Sequence, residues 1–153
     1  MKKIILLMLA LSACLQIACT NDYGKEVVEV PQTEETSIEV GSEDRIIINR
    51  SEDLSNYVVE LFGIDDVATI IFNDTALVGV VTSYDNELTD DLKSLINDLV
   101  LEKDSEIKNV SISHDEKVFN EIVNIVNDLM NGKSYDNYVA SISKMIEKTN
   151  KRN

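Results

Sequence analysis

The chain of 153 residues has no tryptophan, one proline, five glycines and one histidine, and its two cysteines, Cys14 and Cys19, both lie near the N-terminus. With three Phe and no Trp, an aromatic platform for carbohydrate is not expected, and so little proline and glycine excludes a collagen-like rod or a Pro-rich spacer. No cysteine follows residue 19, which excludes a disulfide framework for the body of the chain. One histidine without a cysteine beside it does not supply a conventional structural zinc site. Basic residues are scarce as well, 14 Lys and Arg against 28 Asp and Glu, a net charge of −14. Such a field repels phosphate backbones and anionic headgroups, so neither nucleic-acid binding nor a polybasic membrane contact is expected. What remains is a chain 44% hydrophobic and 27% charged, enough apolar material for one globular domain with a tail.

The first residues carry an address. Met1-Lys2-Lys3 precedes the apolar run Ile4–Leu11, the layout of an export signal and too short to span a bilayer. Leu11-Ser12-Ala13-Cys14 resembles the lipobox of bacterial lipoproteins, and Gln16-Ile17-Ala18-Cys19 resembles it with Gln16 where an aliphatic residue is usual. Cys14 has the better box, whereas Cys19 is followed by polar Thr20-Asn21-Asp22, as a tether leaving a bilayer should be. Either Cys19 or Cys14 is therefore the expected lipidation site, with a signal peptide of residues 1–18 or 1–13. Thioether-linked diacylglycerol and an amide-linked chain such as palmitate give the two acyl chains that stable anchoring needs. Loss of Lys2 and Lys3 with the leader makes the mature chain more acidic still.

Residues 19–44 read as an acidic flexible tether, with Lys25 its single base. From residue 45 to 150 a single domain is expected. Ile46–Ile48 suggests a short strand, and Ser51 is placed to cap a helix with Leu54, Tyr57, Val58, Leu61 and Phe62 on its apolar face, closed by Gly63. Val67–Phe72 and Ala76–Thr82 form a β-hairpin about Asn73-Asp74-Thr75, with apolar residues on both faces. Thr89 opens a helix with Leu92, Leu95, Ile96, Leu99 and Val100 on one stripe. Ile107–Ser113 is a third strand whose Asn109, Ser111 and Ser113 face is expected to be wet. Ser113 and Glu116 have capping-box spacing for a helix running to Gly132, and Tyr135–Ile146 is the last amphipathic helix, its Lys144, Lys148, Lys151 and Arg152 matched to the C-terminal dipole. The fold class is α+β: a small antiparallel or mixed sheet of about three strands, helices packed on one face, and a C-terminal helix.

That order, with Gly63-Ile64-Asp65-Asp66-Val67-Ala68-Thr69-Ile70-Ile71, Asn73-Asp74-Thr75-Ala76-Leu77-Val78-Gly79-Val80, Glu87-Leu88-Thr89-Asp90-Asp91-Leu92-Lys93 and Ile107-Lys108-Asn109-Val110-Ser111-Ile112-Ser113, resembles the YhcN/YlaJ family of sporulation lipoproteins. The resemblance runs from about Arg50 to Lys151. The family often has more arginine in its first and last helices than this chain does. The resemblance implies a lipid-anchored protein on the extracytoplasmic face of a membrane, the spore membrane in particular, with a part in sporulation, spore germination or outgrowth. It also implies likeness to BON or ring-building modules, and so contact with envelope or spore proteins, a second copy of the chain included.

Catalytic chemistry is not displayed. His114 stands beside Asp115 at a strand end, without the G-x-S-x-G context of a hydrolase nucleophile. The pairs Asp65-Asp66 and Asp90-Asp91 suit loops and helix N-termini better than glycoside hydrolysis. Asp85-Asn86-Glu87 with Asp90 and Asp91 lacks EF-hand spacing, and no phosphate-binding glycine loop occurs. Tyr135 and Tyr138 at helical spacing read as core or interface residues. The expectation is a protein with no catalytic, cofactor or metal residues, acting by contact through a sheet edge or the wet face of the third strand. The alternative is a small solute-binding or peptidoglycan-associated envelope lipoprotein.

Overall fold

The computed structural model describes residues 41–83 and 87–152. Both candidate lipidation sites, the leader and most of the expected tether lie outside the described residues. The first helix, α1, spans Ser42–Val59 and is followed by β1, Ile64–Phe72, and β2, Thr75–Thr82. Then come α2, Asp90–Lys103, β3, Asn109–Ser113, and α3, Glu116–Met130. A 3-10 turn, Tyr135–Asn137, leads into α4, Val139–Asn150. The sheet order is β1-β2-β3, with β1 antiparallel and β3 parallel to the central β2. The α+β class, the mixed three-stranded sheet and the C-terminal helix are as expected from the sequence.

Three local readings change. Ile46–Ile48 is helix and not strand, and α1 begins at Ser42, inside the stretch expected to be tether. Ile48, Ser51, Leu54 and Val58 all fall on its buried side, a helical stripe that overrides the β-propensity of three successive isoleucines. Ser51 is therefore no cap: it sits in mid-helix, 1% exposed. Glu43 and Asp44 occupy the first turn, where the helix dipole favours them. After Val59 the chain turns, and Gly63, at φ 92°, supplies the left-handed step that leads into β1.

The capping box at Ser113 and Glu116 is replaced by a different cap. Asp115 is the N-cap of α3, and its carboxylate accepts from the Lys117 N–H at 3.0 Å. Ser113 is still strand, in register with Gly79 of β2, so its hydroxyl accepts from the Asp115 N–H instead, at 3.2 Å. Thr89 caps α2 as expected, accepting from the Leu92 N–H at 3.2 Å.

The largest correction concerns the layers: the helices do not all lie on one face. Ala76–Val80 of β2 is buried residue after residue, and alternate side chains enter two separate cores. Ala76, Val78 and Val80 join Ile71 of β1, Leu54 and Val58 of α1, and Ile96 and Val100 of α2. Leu77 joins Ala68 and Ile70 of β1, Ile122, Ile125 and Leu129 of α3, and Ile142 of α4. A central strand apolar on both faces requires cover on both. Nor is the third strand's serine face wet: Ser111 is 2% exposed and donates to Asn150 Oδ1 of α4 at 2.7 Å.

One polar clamp ties the first half of the fold together. Arg50 of α1 donates through Nε and Nη2 to both oxygens of Asp104, at 2.8 and 2.9 Å, just past the end of α2. Its Nη1 also meets Glu106 Oε2 at 2.8 Å, but that partner is largely exposed and contributes little. The Arg50 hydrogen bonds hold the Asp104 carboxyl below its ordinary range. Replacing Asp104 with Asn is expected to cost about 1–2 kcal/mol, the scale of a charge-assisted bidentate pair. A carboxylate depressed on folding contributes stability in full above its unfolded value of about 3.9, and loses it as pH falls through the lower folded value. Urea unfolding at pH 7 and pH 3 is the check: the Asp104→Asn deficit should be large at pH 7 and shrink at pH 3.

Candidate functional site

The residues singled out in the sequence for chemistry are engaged locally or lie apart. Asp65 Oδ1 accepts from the Ser83 hydroxyl at 2.6 Å, Asp66 Oδ1 from the Val67 N–H at 2.8 Å, and Asp90 pairs with Lys93 at 3.2 Å. Asp65 ties the start of β1 to the residue just past β2, Asp66 bonds the next N–H at the irregular start of the ladder, and Asp90 sits in the first turn of α2 where the dipole favours it. Asp85 and Asn86 lie outside the described residues. Among the described residues no three His, Cys, Asp or Glu side chains converge as metal ligands, and no helix is long and apolar enough to cross a membrane.

Tyr135 and Tyr138 are structural anchors. The Tyr135 hydroxyl donates to the Ile71 carbonyl at 2.7 Å, and its backbone N–H donates to Asp44 Oδ2 at 3.2 Å, joining α1, β1 and the turn before α4. Burial, with the Asp44 charge beside it, pushes the Tyr135 phenol up to about 12. Tyr138 donates to Asp128 of α3.

The bond to Ile71 also marks the free side of the sheet. Phe72 and Thr75 flank a two-residue turn in which Asn73 has φ 55°. In an antiparallel ladder the flanking pair is mutually bonded, so the backbone polar groups of Ile71, Thr69 and Val67 point away from β2. Beside Val67 and Thr69 opens a depression of about 270 Å³ between α1 and α3. Glu52, Ser55 and Asn56 of α1 form its polar wall, and Val123, Val126 and Met130 of α3 its apolar wall. Met130 is 55% exposed at the rim, and Thr69 Oγ1, buried beneath, has no hydrogen-bond partner among the described residues. Of the two surfaces expected to make contacts, the serine face of β3 is thus closed by α4, and the β1 edge carries a groove. The sequence signal for this groove is slight: Met130 is one more apolar residue on the stripe of α3, and only the sheet order shows that, among the described residues, no strand lies beyond β1.

The described residues define a small α+β module, a mixed three-stranded sheet with helices on both faces. The chain belongs to the sporulation lipoprotein family YhcN/YlaJ, whose family model matches residues 24–149. The match begins farther toward the N-terminus than the Arg50 start expected from the sequence. Membership in a family of sporulation lipoproteins implies a membrane-anchored place in the envelope. No curated protein matches the chain.

Proposed function

We propose that this sporulation lipoprotein is non-catalytic and acts by contact, held by lipid at Cys14 or Cys19 on the extracytoplasmic face of a spore membrane. The observation that carries the reading is the groove at the β1 edge. It offers outward backbone groups at Val67 and Thr69 beside the apolar side chains of Val123, Val126 and Met130, the combination that receives a short extended segment or one large side chain of another protein. Its occupant is an envelope or spore protein, a second copy of this chain included, and the contact serves sporulation, germination or outgrowth. The local engagement of His114's neighbour Asp115 and of the Asp65, Asp66 and Asp90 carboxylates supports a role without catalysis.

Photo-crosslinking in intact spores tests the proposal. A photoreactive residue in place of Met130 is expected to give a discrete adduct in the membrane fraction, and the same residue in place of Asp90, on the exposed start of α2, none. Adducts of equal yield at both positions, or none at Met130, would remove the groove as the contact site.

A further inference from the structure

A second depression, of about 240 Å³, lies where β3 ends, α3 begins and α4 finishes. Its wall includes His114, Asp115, Lys148, Thr149 and Arg152. Lys144, Lys148 and Arg152 stand four residues apart along α4 and just past it, and a neighbouring shallow site lined by Lys117, Lys144 and Lys148, with Glu121 the one acid among them, continues the strip. In a chain with twice as many acids as bases, this is a local reversal of sign. Asp115 neutralises only part of it, with Arg152 Nη1 at 2.6 Å and Lys148 Nζ at 4.0 Å from the same carboxylate oxygen. Among the described residues Lys117 and Lys144 form no ion pair, and the remaining guanidinium donors of Arg152 form no hydrogen bond.

An independent feature points to a ligand. Thr149 lines the same depression, is 4% exposed, and its Oγ1 has no hydrogen-bond partner among the described residues. A buried hydroxyl without a partner is uncommon in a folded protein, and a group that accepts a hydrogen bond from it relieves the cost. The α3 N-terminus adds positive potential on the same side, which the Asp115 cap and the C-terminus of α4 partly offset, so the net attraction rests on the side chains of Lys148 and Arg152.

We infer that the depression bounded by Lys148, Thr149 and Arg152 binds a phosphate-type oxyanion. Arg152 supplies the charge-assisted donors, Lys148 a second cation, and the Thr149 hydroxyl a neutral donor that fixes orientation, while Asp115 keeps the guanidinium in place. The phosphate comes from free solute or from a lipid headgroup, the latter being within reach of a lipid-anchored chain. This site is separate from the β1 groove, and failure of either leaves the other standing.

The test is a titration of the full chain in detergent micelles with inorganic phosphate, followed by amide chemical shifts, against sodium chloride at matched ionic strength. Saturable shifts confined to His114, Thr149 and Arg152 and their neighbours are expected with phosphate only. Lys148→Gln with Arg152→Gln should weaken binding about tenfold or more, and Thr149→Val by a smaller factor, while Lys108→Gln, on the loop before β3, has no effect. Shifts that follow ionic strength equally in chloride, or that persist unchanged in the double variant, would overturn the assignment. Vesicles of phosphatidylglycerol that displace bound phosphate, where phosphatidylcholine vesicles do not, identify the headgroup as the source; retention of phosphate in both identifies the free anion.

Discussion

Replacing Gly79 with valine is expected to destabilise the fold by about 3 kcal/mol, the upper part of the range for overpacking a close-packed core. Gly79 lies mid-strand in β2 without a positive φ, so its backbone does not require glycine. Space does. A Cβ built there comes 3.0 Å from the Phe119 Cα and 3.3 Å from both Phe119 Cβ and Ile122 Cδ1. The nearest of these is helix backbone, which no rotamer change can move, so the backbone of α3 or β2 must give by a few tenths of an ångström. Even alanine should be unfavourable: its gain from a stiffer unfolded chain is about 0.4–1 kcal/mol, against about 1–3 kcal/mol for the forced displacement. Chemical unfolding of the Gly79→Ala and Gly79→Val variants gives the comparison. A stability gain for alanine would show that α3 yields at no cost.

The same position shows what the sequence could not convey. The hairpin, the Thr89 cap and the apolar stripes of α2, α3 and α4 rest on interactions between residues close in the chain, and they were legible. Gly79 as the seat of a helix is a relation between β2 and residues forty positions away, and no local period records it. Ser51 misled for a related reason. Serine before two acids is a strong local cap signal, but burial of Ile48, Leu54 and Val58 along one helix outweighs a single capping bond.

The candidate sites divide in the same way. The basic end of α4 was visible as Lys144, Lys148 and Arg152, and its local reading was a match to the helix dipole. Only the fold brings Thr149 and the start of α3 to the same depression. Net charge spoke against anionic partners as an average over the chain, and a local strip of opposite sign is invisible to an average. The β1 groove depends on sheet order, which a run of three strand-like segments leaves open.

Leu77→Ala and Val78→Ala form the pair that tests the two-core architecture itself. The residues are adjacent in β2, both fully buried, and point in opposite directions. Leu77 packs toward α3 and α4, whereas Val78 packs toward α1 and α2. With cover on both faces, each truncation opens a cavity: Leu77→Ala should cost about 2–5 kcal/mol and Val78→Ala somewhat less, in proportion to the smaller volume removed. With helices on one face only, one of the two would stand on a solvent-facing surface and its truncation would fall within about 0.5 kcal/mol of neutral. The magnitudes therefore separate the architectures without any need for structures of the variants. The double variant sharpens the result, because the two side chains share the strand backbone while their buried neighbours fall in different clusters, bridged by Ile47. Its cost should approach the sum of the single losses, the deviation reporting how much strain passes through β2 from one core to the other. Since small domains are stable by about 5–15 kcal/mol in all, that sum leaves little or no folded protein, and the singles should be measured first by urea unfolding at low temperature.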